Sequence, residues 1–203
     1  MSKDRIPVSP AREDWIREGH DWAERVAGVL GAEALRVDHV GSTAVPGLAA
    51  KDVIDIQAIV MRLDPEEEIA ALMEAEGFRR KHARETEDRH DGLDGPPELR
   101  AWRKLFFREP EGERRVHIHI RRNGADNARF SLLLRDFLRA DEAARVSYEA
   151  FKLALWEVTV KSPRAYARIK QPYIAMTLRA AESWASSTRW RPGAPDAYWR
   201  SAE

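Results

Sequence analysis

The segment that decides the fold of this chain runs from Asp38 to Gln57 and reads DHVGSTAVPGLAAKDVIDIQ. Its β-branched residues predict a strand over residues 53–60, and a shorter strand is predicted over residues 35–40. Between the two strands, residues 41–51 are small and turn-forming, which is typical of a tight connecting loop. The segment therefore predicts two strands of one sheet, joined by a loop whose backbone approaches a ligand closely.

The loop and the second strand carry the polar side chains of interest. Gly41 permits close backbone approach, while Ser42 and Thr43 offer hydroxyl and N–H groups to an anion. The two-residue period of a strand points Asp55 and Gln57 to the same face, toward the loop, which makes Gln57 a candidate substrate-binding residue. A carboxylate among valines and isoleucines is costly without a partner, so we expect Asp55 to belong to a site.

Periodicity outside this segment predicts a set of helices and one hairpin. The predicted helices cover residues 12–30, 64–76, 128 onward, 143–156 and 163–184. Strands over 102–108 and 114–121, separated by a turn, predict a β-hairpin. Residues 79–100 are rich in charge, glycine and proline, which predicts a long surface loop and a candidate lid.

Histidines alternate with apolar residues in the second hairpin strand. His117 and His119 share one face, while Val116, Ile118 and Ile120 occupy the other and are expected to enter the core. The histidine face either meets solvent or lines a cleft. In a cleft, the two imidazoles would be the groups whose unperturbed pKa lies nearest neutrality. His39, just before the Gly-Ser turn, either binds the ligand or orients the loop.

The string VGSTAVPGLAAK, residues 40–51, together with Asp38 and His39, closely resembles the signature of the GrpB family. Weaker matches follow in the same order, and the resemblance covers residues 12–183. They are Phe106, the His-x-His of 117–119, residues 135–139, Tyr148 with Lys152, and Tyr166 with Lys170. One departure is Asp52, where members of the family usually carry proline.

The resemblance implies an α+β fold with a nucleotidyltransferase-like mixed β-sheet, flanked by helices and followed by a helical C-terminal part. One domain over 1–186 is expected, and an aromatic tail over 187–203 is expected to pack back on it. Asp55 stands where the first acid of the superfamily's Asp-x-Asp belongs, and Gln57 stands in place of the second. Family positions add Lys51, Lys152 and Lys170 as candidate substrate-binding residues. Arg115 and Arg121, at the two ends of the histidine strand, either bind an anion or form a solvated edge.

Composition excludes several classes of protein. The 203 residues include no cysteine, which excludes disulfides, thiolate nucleophiles and cysteine-rich zinc sites. With 34 basic and 34 acidic residues, the formal net charge is zero, so no global nucleic-acid footprint is expected. Apolar runs are too short for a membrane span and the N-terminus lacks an apolar leader, so a cytoplasmic protein is expected. The oligomeric state is left open.

Three functions remain open, and the missing second acid orders them. The first is an enzyme for a small organic molecule that uses metal-free acid–base chemistry, such as dehydration, addition or cyclisation, with His117, His119 and Asp55 as catalytic residues and no cofactor. One imidazole would act as base and the other, charged, as acid. The second is a nucleotidyltransferase dependent on a divalent metal, although Asp55 and two histidines suit one transition metal better than two magnesium ions. The third is a binding module that keeps the cleft without catalysis.

Overall fold

The computed structural model describes residues 6–81, 103–159 and 163–198. Most of the predicted lid and Trp102 lie outside the described residues. The elements are β1 (Val8–Ser9), α1 (Asp14–Leu30), β2 (Ala34–Val40), β3 (Ala50–Lys51), β4 (Ile54–Val60), α2 (Glu66–Ala75), β5 (Arg79–Lys81), β6 (Lys104–Arg108), β7 (Val116–Arg122), α3 (Asp126–Ala140), α4 (Glu142–Thr159) and α5 (Pro163–Thr188). The first residues assigned to the lid, 79–81, form strand β5 instead.

A five-stranded sheet organises the described part of the chain, in the order β2-β4-β7-β6-β5. Only the β4–β7 pair is parallel among these strands, and β6 with β7 forms the predicted hairpin. The mixed sheet with packed helices confirms the predicted fold class. Strands β1 and β3 form a separate two-stranded pair, which ties the N-terminal arm to the loop before β4.

Helix α1 covers one face of the sheet because its apolar residues recur at helical spacing. Trp15, Trp22, Val26 and Leu30 are buried in one cluster with residues from β4 and β7. Burying each such side chain contributes about 1.5–3 kcal/mol. The helix ends at Gly31, which takes a positive φ of 54° as its C-cap. This face of the sheet is therefore the main core.

Helices α3, α4 and α5 pack together beyond the other face. Ile59 of β4 packs against Ala125 and Ala128 at the start of α3, on the face that also carries Asp55. A second apolar cluster joins the three helices to the loop before β3 through Val45 and Leu48. Among the described residues, no helix is long and apolar enough to cross a membrane. The helices thus form a wall above the polar face of the sheet.

The tail packs back on the body over its described residues, as expected. The Trp190 indole donates a hydrogen bond of 3.1 Å to Asp136, and Ala197 forms a β-bridge with Val37. Asp196 accepts a 2.8 Å hydrogen bond from the backbone N–H of His39. The tail therefore supports the strand that leads into the Gly-Ser loop.

Candidate active site

Asp55 and His117 are direct neighbours in the parallel β4–β7 pair, and Gln57 is the neighbour of His119. The Nδ1 atom of His117 lies 3.1 Å from Oδ1 of Asp55, and Nε2 of His119 lies 3.8 Å from the same oxygen. The two imidazole centroids are 6.3 Å apart. The strands thus gather one carboxylate and two imidazoles on the face predicted from their period.

The environment of Asp55 keeps its carboxylate ionised. Burial acts to raise the pKa of Asp55, but hydrogen bonds from His117 and His119 outweigh it and hold the pKa well below its usual range. A permanent carboxylate 3.1 Å from His117 Nδ1 requires a proton on that nitrogen. The Nε2 atom of His117 is then left with the lone pair of the ring.

Lys104, which the sequence interpretation missed, favours the tautomer of His119 that is opposite to the tautomer of His117. Strand β6 pairs Lys104 with Arg121 and Phe106 with His119, which places Lys104 diagonal to His119 on the same face. The Nζ atom of Lys104 lies 3.0 Å from Nδ1 of His119. An ammonium group only donates, so Nδ1 accepts and the ring proton sits on Nε2, the nitrogen nearer Asp55.

The Gly-Ser turn approaches Asp55 so closely that only glycine fits at Gly41. Its φ is +76° and its ψ is −168°, a region essentially restricted to glycine. A Cβ on this residue would lie 2.5 Å from Oδ2 of Asp55. Ser42 follows and lines the space on both sides of the carboxylate. The Gly-Ser backbone therefore lies directly against the carboxylate of Asp55, whereas the sequence predicted a close approach to a ligand.

His39 and Thr43 stabilise this loop through a chain of hydrogen bonds. His39 is buried, and its Nε2 lies 2.9 Å from the Thr43 hydroxyl, which donates in turn to the carbonyl of Val53 at 3.1 Å. Because Thr43 uses its proton there, His39 donates from Nε2. Burial lowers the pKa of His39 to about 4, so the ring is neutral. Of the two roles left open for His39, the structure supports loop orientation.

Two cavities meet at Asp55, Ser42 and Lys170. The first, of about 310 Å³, contains His119 and is called the apolar cavity because Val40, Phe130, Leu134, Leu138, Ile174 and Leu178 line much of it. The second, of about 240 Å³, contains His117 and is called the lysine cavity because Lys51, Lys152 and Lys170 line it together with Tyr166. Asp55 and its two histidines thus stand at the junction of an apolar and a cationic space.

The remaining predicted residues separate into two groups. Lys51, Lys152 and Lys170 reach the cavities, as does Arg121, which lines the apolar cavity. Gln57 does not: it is fully buried, accepts a hydrogen bond from Arg121 and donates a 3.0 Å hydrogen bond to Ala128. We therefore correct its assignment from substrate binding to support of Arg121. Arg115 lies immediately before β7, outside the lining of both cavities.

The site also offers a donor set for one metal ion. One oxygen of Asp55 and one ring nitrogen from each of His117 and His119 lie within 4.8 Å of one another. A carboxylate with two imidazoles fits a single transition metal, which would polarise a substrate oxygen or lower the pKa of a water molecule. The 3.0 Å contact with Lys104 opposes this arrangement, because metal binding through Nε2 of His119 requires the proton on Nδ1, where Lys104 already donates.

Comparison with known proteins assigns the family. The family model for GrpB protein matches residues 5–180. A dephospho-CoA kinase of Mycolicibacterium paratuberculosis is 37% identical, covering 93% of this chain and 49% of that protein, so the chain spans about half the length of this relative. A UPF0157 protein of Streptomyces coelicolor is 34% identical over 75% of each chain.

A solved GrpB structure is similar in fold. The crystal structure of GrpB from Enterococcus faecalis superposes with a TM-score of 0.69 and 24% identity, over 87% of this chain and 98% of that one. A cytoplasmic RNA terminal U-transferase superposes with a TM-score of 0.47 and 16% identity, over 74% of this chain and 42% of that one. By its sequence match over residues 5–180, the chain belongs to the GrpB protein family.

Proposed function

We propose that this protein is a small-molecule enzyme that uses metal-free acid–base chemistry, with His117 as base and His119 as hydrogen-bond donor to the reacting oxygen. The observation that carries the proposal is the pair of contacts that favour opposite tautomers of the two imidazole rings. Asp55 holds the Nδ1 proton of His117 at 3.1 Å, and Lys104 occupies Nδ1 of His119 at 3.0 Å. One ring thus presents a lone pair and the other an N–H group.

Asp55 gives His117 the properties of a general base. The carboxylate fixes the tautomer that leaves Nε2 as acceptor, and it stabilises the imidazolium formed when Nε2 takes a proton. Such an imidazolium then returns the proton as an acid in a later step. The carboxylate stays ionised throughout, because its pKa lies well below neutrality.

Lys104 changes the role that we expected for His119. The ammonium group of Lys104, 3.0 Å from Nδ1, disfavours a positive charge on the His119 ring. A neutral ring that donates from Nε2 can instead bind the oxyanion that develops on a substrate carbonyl, as preorganised donors do in other enzymes. The sequence had suggested a charged imidazole as the acid, and the geometry favours a neutral donor.

The resulting reaction begins α to a carbonyl group. His117 removes the carbon-bound proton, and the C–H electron pair forms an enolate whose oxygen accepts a hydrogen bond from His119. In a dehydration, the enolate expels a β-hydroxyl group, which leaves as water with the proton from His117. In an addition or cyclisation, the reverse bonding changes occur. Each sequence returns both rings to their starting protonation states.

Deuterium incorporation tests this function in a mixture of candidate substrates. The protein would be incubated with a bacterial metabolite extract in D₂O and EDTA, and the metabolites followed by mass spectrometry. Substrates should gain deuterium or lose water with the wild type. With His117→Ala, the rate of these changes should fall on the order of 10²–10⁴-fold. His20→Ala is the matched control, because His20 is an exposed histidine of α1. Turnover that EDTA abolishes would contradict the metal-free mechanism.

The second candidate is metal-dependent nucleotidyl transfer, favoured by the donor set of Asp55, His117 and His119 within 4.8 Å. A nucleotide bound through a divalent ion should stabilise the fold, by about 2.7 kcal/mol at a hundredfold excess over Kd. Melting curves with each nucleoside triphosphate, with and without Mg²⁺ or Mn²⁺, separate the two candidates. A metal-dependent increase in Tm that Asp55→Asn removes would replace the acid–base proposal.

A further inference from the structure

The two cavities at Asp55 differ in chemistry, and this difference identifies the substrate class. We infer that the substrate is an amphipathic organic acid, whose anionic group occupies the lysine cavity and whose apolar body occupies the apolar cavity. This inference rests on the proposed function only in placing the reacting carbon between the cavities. The binding itself depends on the cavity walls and not on the chemistry.

The lysine cavity is built for an anion. Lys51, Lys152 and Lys170 face a space of about 240 Å³ in which Asp55 supplies the opposing charge, and Asp55 is already engaged by His117. Lys51 and Lys170 beside one carboxylate leave an excess of positive charge, which a protonated Lys152 would increase. An anionic substrate group would offset it and accept their hydrogen bonds.

A backbone carbonyl and an aromatic ring hold two of the three lysines in place. Lys152 is buried and donates to the carbonyl of Ala49, while Nζ of Lys51 lies 3.9 Å from the ring centroid of Tyr166. Burial, with the charge of Lys170, lowers the pKa of Lys51 to about 8 and that of Lys152 to about 6. An anion in the cavity would relieve this repulsion and favour the charged form of both groups.

The apolar cavity is suited to a hydrocarbon body. Its two arginines are engaged by the protein: Arg121 donates to Gln57, and Arg135 donates to Asp136 at 2.8 Å. Lys170 lies at the junction with the lysine cavity. Aliphatic and aromatic side chains from α3 and α5, such as Phe130, Leu134 and Ile174, supply much of the wall. Burial of a hydrocarbon group against such a wall is favourable, and the wall offers few hydrogen-bond partners to a second charged group of the ligand.

A graded set of probes tests this inference. Straight-chain carboxylates from acetate to octanoate, the matching primary amides and the matching monoalkyl phosphates would be titrated by calorimetry and by NMR. Affinity for the acids should rise about fourfold per methylene until the apolar cavity is filled. The amides should bind at least about tenfold more weakly than the acids. Whichever anion series binds more tightly identifies the head group as carboxylate or phosphate.

Two variants with matched controls locate the two parts of the ligand. Lys51→Met should weaken every acid by about tenfold or more and leave the amides unchanged, whereas Lys81→Met on β5 should change neither. Leu134→Asn should flatten the dependence on chain length, whereas Leu153→Asn, at an exposed position of α4, should not. Circular dichroism of each variant would confirm folding before titration.

Specific outcomes would overturn the inference. Affinity that does not depend on chain length, equal binding of acid and amide, or no saturation by octanoate at millimolar concentration would each exclude an amphipathic acid. Octanoate binding in a protein that incorporates no deuterium into any metabolite would refute the proposed function alone.

Discussion

The Nδ1 atom of His117 lies 3.1 Å from Oδ1 of Asp55, and the two residues are direct partners in the parallel β4–β7 pair. Backbone pairing therefore sets the distance between the imidazole of His117 and the carboxylate of Asp55, with no dependence on a flexible loop. Sites built on strands hold their geometry more precisely than sites built on loops. Phe106, whose ring centroid lies 5.3 Å from that of His117, further restricts the imidazole.

Nitrogen-15 NMR should show two different neutral tautomers in the site. His117 should carry its proton on Nδ1, and His119 should carry its proton on Nε2 because Lys104 donates to Nδ1. Lys104→Met should remove this preference at His119 and leave His117 unchanged, whereas Lys104→Arg, which still donates, should retain it. An unchanged His119 spectrum in Lys104→Met would show that Lys104 does not set the tautomer.

Gly41→Ala should destabilise the protein by about 2–4 kcal/mol, since the backbone conformation is strained for alanine and the new Cβ would lie 2.5 Å from Asp55 Oδ2. Urea denaturation measures the change. Gly28→Ala is the control: this helical glycine has nothing within 4 Å of an added Cβ, and alanine there should stabilise by about 0.5–1 kcal/mol. Equal stability of the two variants would contradict the close approach of the turn to Asp55.

His39 should make the fold sensitive to mild acid. Burial lowers its pKa to about 4 in the folded protein from an ordinary value of 6.5, so between these values the unfolded chain binds a proton that the folded chain does not. The contribution is fully present above about pH 6.5 and is lost as pH falls toward 4, by about 3 kcal/mol in total. Urea denaturation at several pH values measures this slope. His39→Gln should reduce it, whereas His20→Gln, at an exposed position, should not.

Asp196→Ala should destabilise the protein although the residue lies in the C-terminal tail. Its carboxylate accepts the backbone N–H of His39 at 2.8 Å and lies 3.5 Å from the buried Arg135. Loss of an acceptor at a buried donor costs about 1–3 kcal/mol, measurable by thermal denaturation. Glu157→Ala, at an exposed position of α4, provides the comparison. Identical Tm values would mean that the tail does not support β2.

Strand periodicity was sufficient to predict which polar residues meet. Asp55, His117 and His119 could be placed on one face because alternation along a strand fixes orientation wherever the opposite face is apolar. The Gly-Ser turn could be predicted because few residues tolerate its conformation. These parts of the site depend on local geometry, which the sequence encodes directly.

Packing of one element on another was harder to predict. Lys104 begins a hairpin strand, where a lysine is usually solvated, and only the β6–β7 register shows that it lies diagonal to His119. Gln57 was expected in the cleft because it shares a face with Asp55. Helix α3 covers it instead, and the side-chain amide of Gln57 donates a hydrogen bond to the carbonyl of Ala128. The position of a helix over a sheet depends on contacts between distant segments, which alternation along one strand does not specify.

The parallel pairing of β4 with β7 also affects when the site can form during folding. Asp55 and His117 are 62 residues apart in the sequence, and β6, between them in the chain, pairs on the far side of β7. Contacts of such long range require the closure of a large loop and form slowly compared with helices and local hairpins. A nascent chain that ends before β7 holds the Gly-Ser turn and the carboxylate but neither His117 nor His119. The Asp55–His117 contact can therefore serve as a reporter of complete assembly of the sheet.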